Sequence, residues 1–119
     1  MERGWNVHHV LWQRRDYKTA KEKELRNYSG LVIPMYKSAH NELHAVIPPP
    51  PKLNARLIHG SLDMLNNLPK PSVDDPLRVV TALALYLERS DERLAQRVSD
   101  HLFEQADMIE DGFYVGQAA

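Results

Sequence analysis

The chain has no cysteine among its 119 residues. That excludes disulfides, Cys-type zinc sites and a cysteine nucleophile. Long apolar runs are also missing. The longest, Val79 to Leu87, is broken by Thr81 and is far shorter than the ~20 residues that a membrane-spanning helix needs. The opening MERGWNVHHV carries no apolar signal-peptide core. The expected location is therefore the cytoplasm, with no membrane partner. Glycine is scarce, with five residues, and no Gly-rich phosphate loop or G-x-S-x-G elbow occurs. Nucleotide-loop and serine- or cysteine-nucleophile chemistry are thus without their usual motifs.

What is present describes one ordinary globular domain, 43% hydrophobic and 26% charged. Its charge is unevenly shared. Residues 1–55 hold nine Lys/Arg against five Asp/Glu, a balance of +4, and residues 56–119 hold six against eleven, a balance of −5. A polyanion would meet the front half. The run Pro48-Pro49-Pro50-Pro51 excludes helix and central strand and separates the two halves.

In the front half, Asn6 to Trp12 has strand composition. Gln13 to Asn27 is polar and reads as a long loop with a helical turn around Ala20 to Leu25. Leu31 to Tyr36 is a second strand, whose Pro34 implies an edge position or an early end. Ser38 fits an N-cap for a short helix through His44 and Val46. The back half reads as three helices. Leu53 to Leu68 carries one apolar stripe. Asp75 caps and Pro76 starts a helix through Arg89 that is apolar nearly all round, hence central. Asp91 to Glu110 presents Leu94, Val98, Leu102, Gln105 and Ile109 inward, and Gly112 ends it. The expected class is α+β: a strand, long loop, strand and short helix over 1–47, a polyproline connector at 48–52, three helices over 53–112 and a loose tail at 113–119.

The chemistry concentrates in four histidines: His8-His9, then His40 and His44. His40 and His44 are four apart and share one helix face. Imidazole is the commonest transition-metal ligand and titrates near neutrality. Three of the four can hold a metal ion while the fourth moves a proton, which suits a metal-dependent hydrolase; a structural zinc site is the other option. Neighbouring histidines on a regular strand face opposite ways, so a shared role for His8 and His9 needs an irregular strand end. His59 and His101 have no matching partners in the back half and read as structural. Glu42 faces away from His40 and His44 and reads as a surface residue.

Taken in order, His8-His9, Val32-Ile33-Pro34-Met35 and Ser38-Ala39-His40-Asn41-Glu42-Leu43-His44 resemble the HNH, or ββα-metal (His-Me finger), nuclease family. That family pairs Asp-His or His-His at a strand end. After a loop comes an Asn-Leu-x-Pro-Leu strand, then a helix with His and often a second His four residues on. The resemblance covers about residues 5–46. It implies that His8, His40 and His44 hold one divalent metal ion (Zn, Mg, Mn or Ni), as in the all-histidine, colicin-type branch. It implies His9 as the general base that activates water, and DNA as the partner. The family's central Asn is replaced here by Leu31, with Asn27 four residues earlier as the candidate substitute. The bracing Cys-x-x-Cys pairs are absent. The segment WNVHHVLWQRRDYK is also similar, more loosely, to small uncharacterised actinobacteriophage proteins, a resemblance that carries no activity; for a phage-encoded chain the expected cytoplasm is the host's.

Around this centre Arg14, Arg15 and Lys18, with Lys21, Lys23 and Arg26, are candidate phosphate contacts. Asp16, Glu22 and Glu24 offset half that charge, as on a solvated loop. Trp12 and Tyr17 either stack on bases or close a small core. Two functions follow as expectations. One is a small phage-encoded, metal-dependent DNA endonuclease or nickase. The other is a binding protein on a ββα scaffold that no longer cleaves, docking on a host protein or on DNA with a purely structural metal. Under either, the C-terminal helices offer a homodimer or partner-docking surface.

Overall fold

The computed structural model describes residues 4–12, 19–69 and 75–115. They form strand β1 (Trp5–His9), helix α1 (Ala20–Arg26), a 3-10 turn (Ser29–Leu31), strand β2 (Val32–Tyr36), and helices α2 (Lys37–Val46), α3 (Ala55–Asn66), α4 (Pro76–Glu88) and α5 (Arg93–Glu110). The class is α+β, with a strand-strand-helix start and a helical C-terminal part. β1 and β2 pair antiparallel from Trp5↔Tyr36 to His9↔Val32. Each strand of a two-stranded sheet is an edge, which is how β2 accommodates Pro34 opposite Val7.

Alternation divides the hairpin into two faces. Asn6 and His8 lie with Met35 and Ile33 on the inner face, where His8, Ile33 and Met35 are buried. Val7 and Tyr36 are exposed on the other. α1 is a full helix where the sequence reads only a turn, because the Thr19 hydroxyl caps it by accepting from the Glu22 amide at 3.1 Å. α2 starts at Lys37, directly after Tyr36 and with no side-chain cap. Ser38 is therefore inside the helix rather than its N-cap: β2 runs straight into α2 and leaves no linker for Ser38 to close. Residues 48–54, containing the prolines, hold neither helix nor strand. Lys52 Nζ in this stretch reaches Glu22 Oε1 of α1 at 3.2 Å.

One core joins both halves of the chain. Val10, Leu31, Ile33, Met35 and Leu43 pack in the same cluster as Leu57, Leu62, Val80, Leu83, Leu102 and Ile109. α4 buries Val79, Val80, Leu83, Ala84 and Leu87 between α3 and α5, but Leu85 is 43% exposed, so one face of this apolar helix meets solvent. The Ser99 hydroxyl of α5 donates to the Ala84 carbonyl at 2.8 Å and stitches the α4–α5 pair. Gly112, at φ 97°, ends α5. Its N–H bonds the Ile109 carbonyl and the Phe113 N–H bonds the Met108 carbonyl, the two bonds of a Schellman cap. Tyr114, in the stretch expected to be loose, is buried in the core.

The turn before β2 is wedged against α4. A Cβ on Gly30 would stand 2.7 Å from Val79 Cγ1 and 2.8 Å from its Cγ2. Val79 is buried and β-branched, so it cannot swing aside. Gly30→Ala is expected to destabilise the protein by about 1–3 kcal/mol, the usual cost of overpacking. In urea melts the Gly30→Ala/Val79→Ala double variant should lose less than the sum of the two singles. Strict additivity would show that this contact does not fix the turn.

Candidate metal centre

Leu43 and Ile47 are the buried residues that dock α2. With anchors at 43 and 47, residues 40 and 44 fall on the same helical stripe, against the inner face of β1. There they meet His8, which is only 1% exposed. The ring centroids are 5.1 Å apart for His8–His40, 5.4 Å for His8–His44 and 4.5 Å for His40–His44, every pair edge-to-face. One ring nitrogen from each residue lies within 4.8 Å of the other two. His40 Nε2 and His44 Nε2 face each other at 2.9 Å. The burial is graded, from His8 at the floor through half-buried His40 to exposed His44 at the rim.

Each ligand candidate is held from behind. Gln105 Oε1 of α5 accepts from His8 Nε2 at 2.8 Å. Asn6 Nδ2, two residues before His8 on the same face of β1, is 3.3 Å from His40 Nδ1. The Trp12 ring packs on three histidines, His44 at 4.7 Å, His101 at 5.2 Å and His8 at 5.3 Å. His8 Nδ1 is buried and has no hydrogen-bond partner.

The electrostatics keep these rings neutral. Burial pushes His8 down to about 3, and the nearby His40, His44 and His9 charges add to the fall, against the opposing Gln105 hydrogen bond. Burial, then the charges of His44 and His9, lower His40, and burial lowers His44. A neutral imidazole offers a metal its lone pair without first losing a proton.

His9 stands apart. It is the last residue of β1, still paired with Val32, and alternation sets its side chain on the opposite strand face from His8, within reach of the charges of His8 and His40. The strand end is thus regular through His9, and the Val10 amide carries the pairing one residue further by donating to the Leu31 carbonyl. Burial first, then the Arg26 charge, lower the His9 pKa, while a side-chain hydrogen bond with Asn27 raises it. Asn27 is the C-cap of α1. Leu31 is fully buried, and its carbonyl accepts from the Val10 amide at 2.9 Å.

Of the other candidates, Arg14, Arg15 and Lys18, with Asp16 and Tyr17, lie outside the described residues. Glu42 and His59 are exposed. His101, read as structural, is buried beneath Trp12 with its Nε2 unpartnered. Sequence reasoning placed Gln105 only on an inward stripe and gave Asn6 no role. The signal for Gln105 was available as the one amide in an otherwise apolar series.

Burial alone pushes His101 down to about 4, whereas an unfolded histidine titrates near ~6.5. Between those values the unfolded state binds the proton and the folded state does not. Stability is therefore full above pH ~6.5 and falls on acidification to pH ~4, below which this group adds no further loss. His101→Phe keeps a ring under Trp12 and removes the titration. Urea melts from pH 7 to 4 should show a slope of unfolding free energy against pH shallower by up to about 1.4 kcal/mol per unit. An unchanged slope would mean that His101 is protonated in the fold. The site has to be read from its own distances, because no protein-family model, curated protein or solved structure matches the chain.

Proposed function

We propose that the chain is a small divalent-metal-dependent DNA endonuclease or nickase of HNH type, acting in the cytoplasm, with His8, His40 and His44 as metal ligands and His9 as general base. The observation that carries the reading is the convergence of three imidazoles, one ring nitrogen from each within 4.8 Å of the others, with the buried His8 Nδ1 left without a partner in the protein. An orphaned buried acceptor is costly, and a cation is the ligand that this donor set fits.

The donor set also supports catalysis over bracing. Three protein ligands leave a coordination position open, as catalytic sites do, whereas structural zinc is usually closed by four. Three neutral ligands leave the charge of a dication uncompensated, which favours an anionic partner such as a phosphodiester. A bound ion would supply electrostatic stabilisation of the charge that develops on the phosphate oxygens. His9 is neutral near pH 7, because its pKa lies below the usual value, and so has a lone pair for the proton of an attacking water. The hydrogen bond with Asn27 holds its ring. Arg26, whose charge His9 feels, places a cation beside the base where the DNA backbone would lie.

A second reading rests on Leu31. Where the nuclease pattern has a polar Asn, this chain has a side chain sunk in the core. On that reading the protein is a non-cleaving binding module for a host protein or DNA, and any metal is structural.

Nicking of supercoiled plasmid separates the two. Wild type is expected to cleave with at least one of Mg²⁺, Mn²⁺, Ni²⁺ and Zn²⁺. His9→Ala should keep metal binding and fold but lose about 10²–10⁴ in rate, the usual contribution of a general base. His44→Ala should weaken both metal binding and cleavage. Wild type inactive on supercoiled, linear and single-stranded DNA with all four ions would remove the nuclease and leave the binding module.

A further inference from the structure

Gln105 belongs to the last helix, 97 residues from His8 in sequence and outside the segment that carries the four histidines. Its side chain is fully buried and makes two hydrogen bonds. Nε2 donates to the Val10 carbonyl at 2.9 Å. Oε1 faces His8 Nε2 at 2.8 Å. The first bond decides the second. A backbone carbonyl can only accept, so the amide nitrogen must point to Val10 and the amide oxygen to His8. An amide oxygen can only accept, so His8 Nε2 must carry the hydrogen. A neutral imidazole has one N–H, so His8 Nδ1 is left as a bare lone pair. That atom is buried and unpartnered, and it belongs to a ring of which one nitrogen lies within 4.8 Å of a nitrogen of His40 and of His44.

We infer that Gln105 is a positioning residue for the metal centre: it locks His8 in the Nε2–H tautomer and so commits Nδ1 to a divalent cation shared with His40 and His44. The inference rests on the metal-site reading above and extends it in two ways. It names the ligating atom of His8. It also makes helix α5 a working part of the centre rather than a separate support. The Val10–Gln105–His8 chain has the logic by which an outer hydrogen-bond acceptor orients a ligating histidine and raises its basicity. Here the acceptor is an amide held by the strand end itself. Moving the proton to Nδ1 would set the Nε2 lone pair against the Gln105 oxygen, and a half-turn of the ring would put a C–H in the place of Nε2; either leaves the amide oxygen without its donor.

The test uses the full chain with ¹⁵N-labelled histidine, in zinc-free buffer and then titrated with Zn²⁺. Long-range ¹H–¹⁵N spectra of metal-free wild type should show His8 with its proton on Nε2, and added Zn²⁺ should perturb His8 Nδ1. Gln105→Met removes the acceptor at similar volume and should bind Zn²⁺ 10–100-fold more weakly, with the Nε2–H preference lost. Gln105→Glu in its protonated form can donate to Val10 and accept from His8, so it should restore the tautomer and an affinity within about tenfold of wild type. A purely packing role predicts the reverse order, because Met suits an apolar setting better than Glu. If wild-type His8 carries its proton on Nδ1, or if Gln105→Met binds Zn²⁺ as wild type does, the assignment of Gln105 is wrong while the metal site stands. If wild type binds no Zn²⁺ at all, the metal reading itself fails, and the purpose given to Gln105 goes with it. The wild-type tautomer is read on the native chain, so it decides the question even where Gln105→Met does not fold.

Discussion

A histidine buried at the seam between a hairpin and a helix must be neutral and must place its single N–H somewhere. His8 meets that constraint through α5, and the rest of the site follows from it. The contact commits one ring nitrogen to Gln105 and leaves the other, buried Nδ1, without a partner in the protein. It also holds β1 against the C-terminal helices, so the hairpin and the helical region share one core although the tetraproline run divides them in sequence. Leu43 and Ile47 set the roll of α2, and that roll brings His40 and His44 to the ring of His8.

The chemistry that results is defined by charge. Among the described residues, the group of side chains suited to hold a cation is three imidazoles with no carboxylate. Burial lowers the pKa of all three, and repulsion from neighbouring histidines adds to the fall at His8 and His40, so protons compete little for these sites near neutral pH. An ion in such a site keeps its charge for an anion. His9, one residue along the strand, lies on the opposite strand face from His8. Its partners are Arg26 and Asn27 on α1. Adjacent residues on one strand thus lie in two environments, one suited to holding an ion and one suited to moving a proton.

Much of this was legible in the sequence, because period and spacing act locally. The three C-terminal helices follow from apolar stripes, with Pro76 starting one and Gly112 ending another. Spacing alone puts only His40 and His44 on one helix face; that His8 should join them is implied by the resemblance of the histidine-bearing segments to a ββα-metal unit. What escaped depends on contacts between distant segments or on single capping bonds. Gln105 is an ordinary inward residue until α5 is laid against β1. Ser38 looks like a cap because its type suits one, but β2 leaves no linker for it. Thr19 makes a helix of residues that read as a loop. Asn27 reaches His9 because α1 ends beside the hairpin, which its spacing from His40 could not reveal. Leu85 shows the opposite limit: an all-apolar helix need not be buried all round.

The central claim is that His8, bonded to Gln105 through Nε2, shares a divalent cation with His40 and His44. Anomalous diffraction at the zinc edge, on crystals grown from protein loaded with one equivalent of Zn²⁺, tests it most directly. The account predicts one peak about 2.0–2.1 Å from His8 Nδ1 and from one ring nitrogen each of His40 and His44, with the 2.8 Å contact between Gln105 and His8 intact. A peak elsewhere, or ligation through His8 Nε2 with Gln105 displaced, would contradict it.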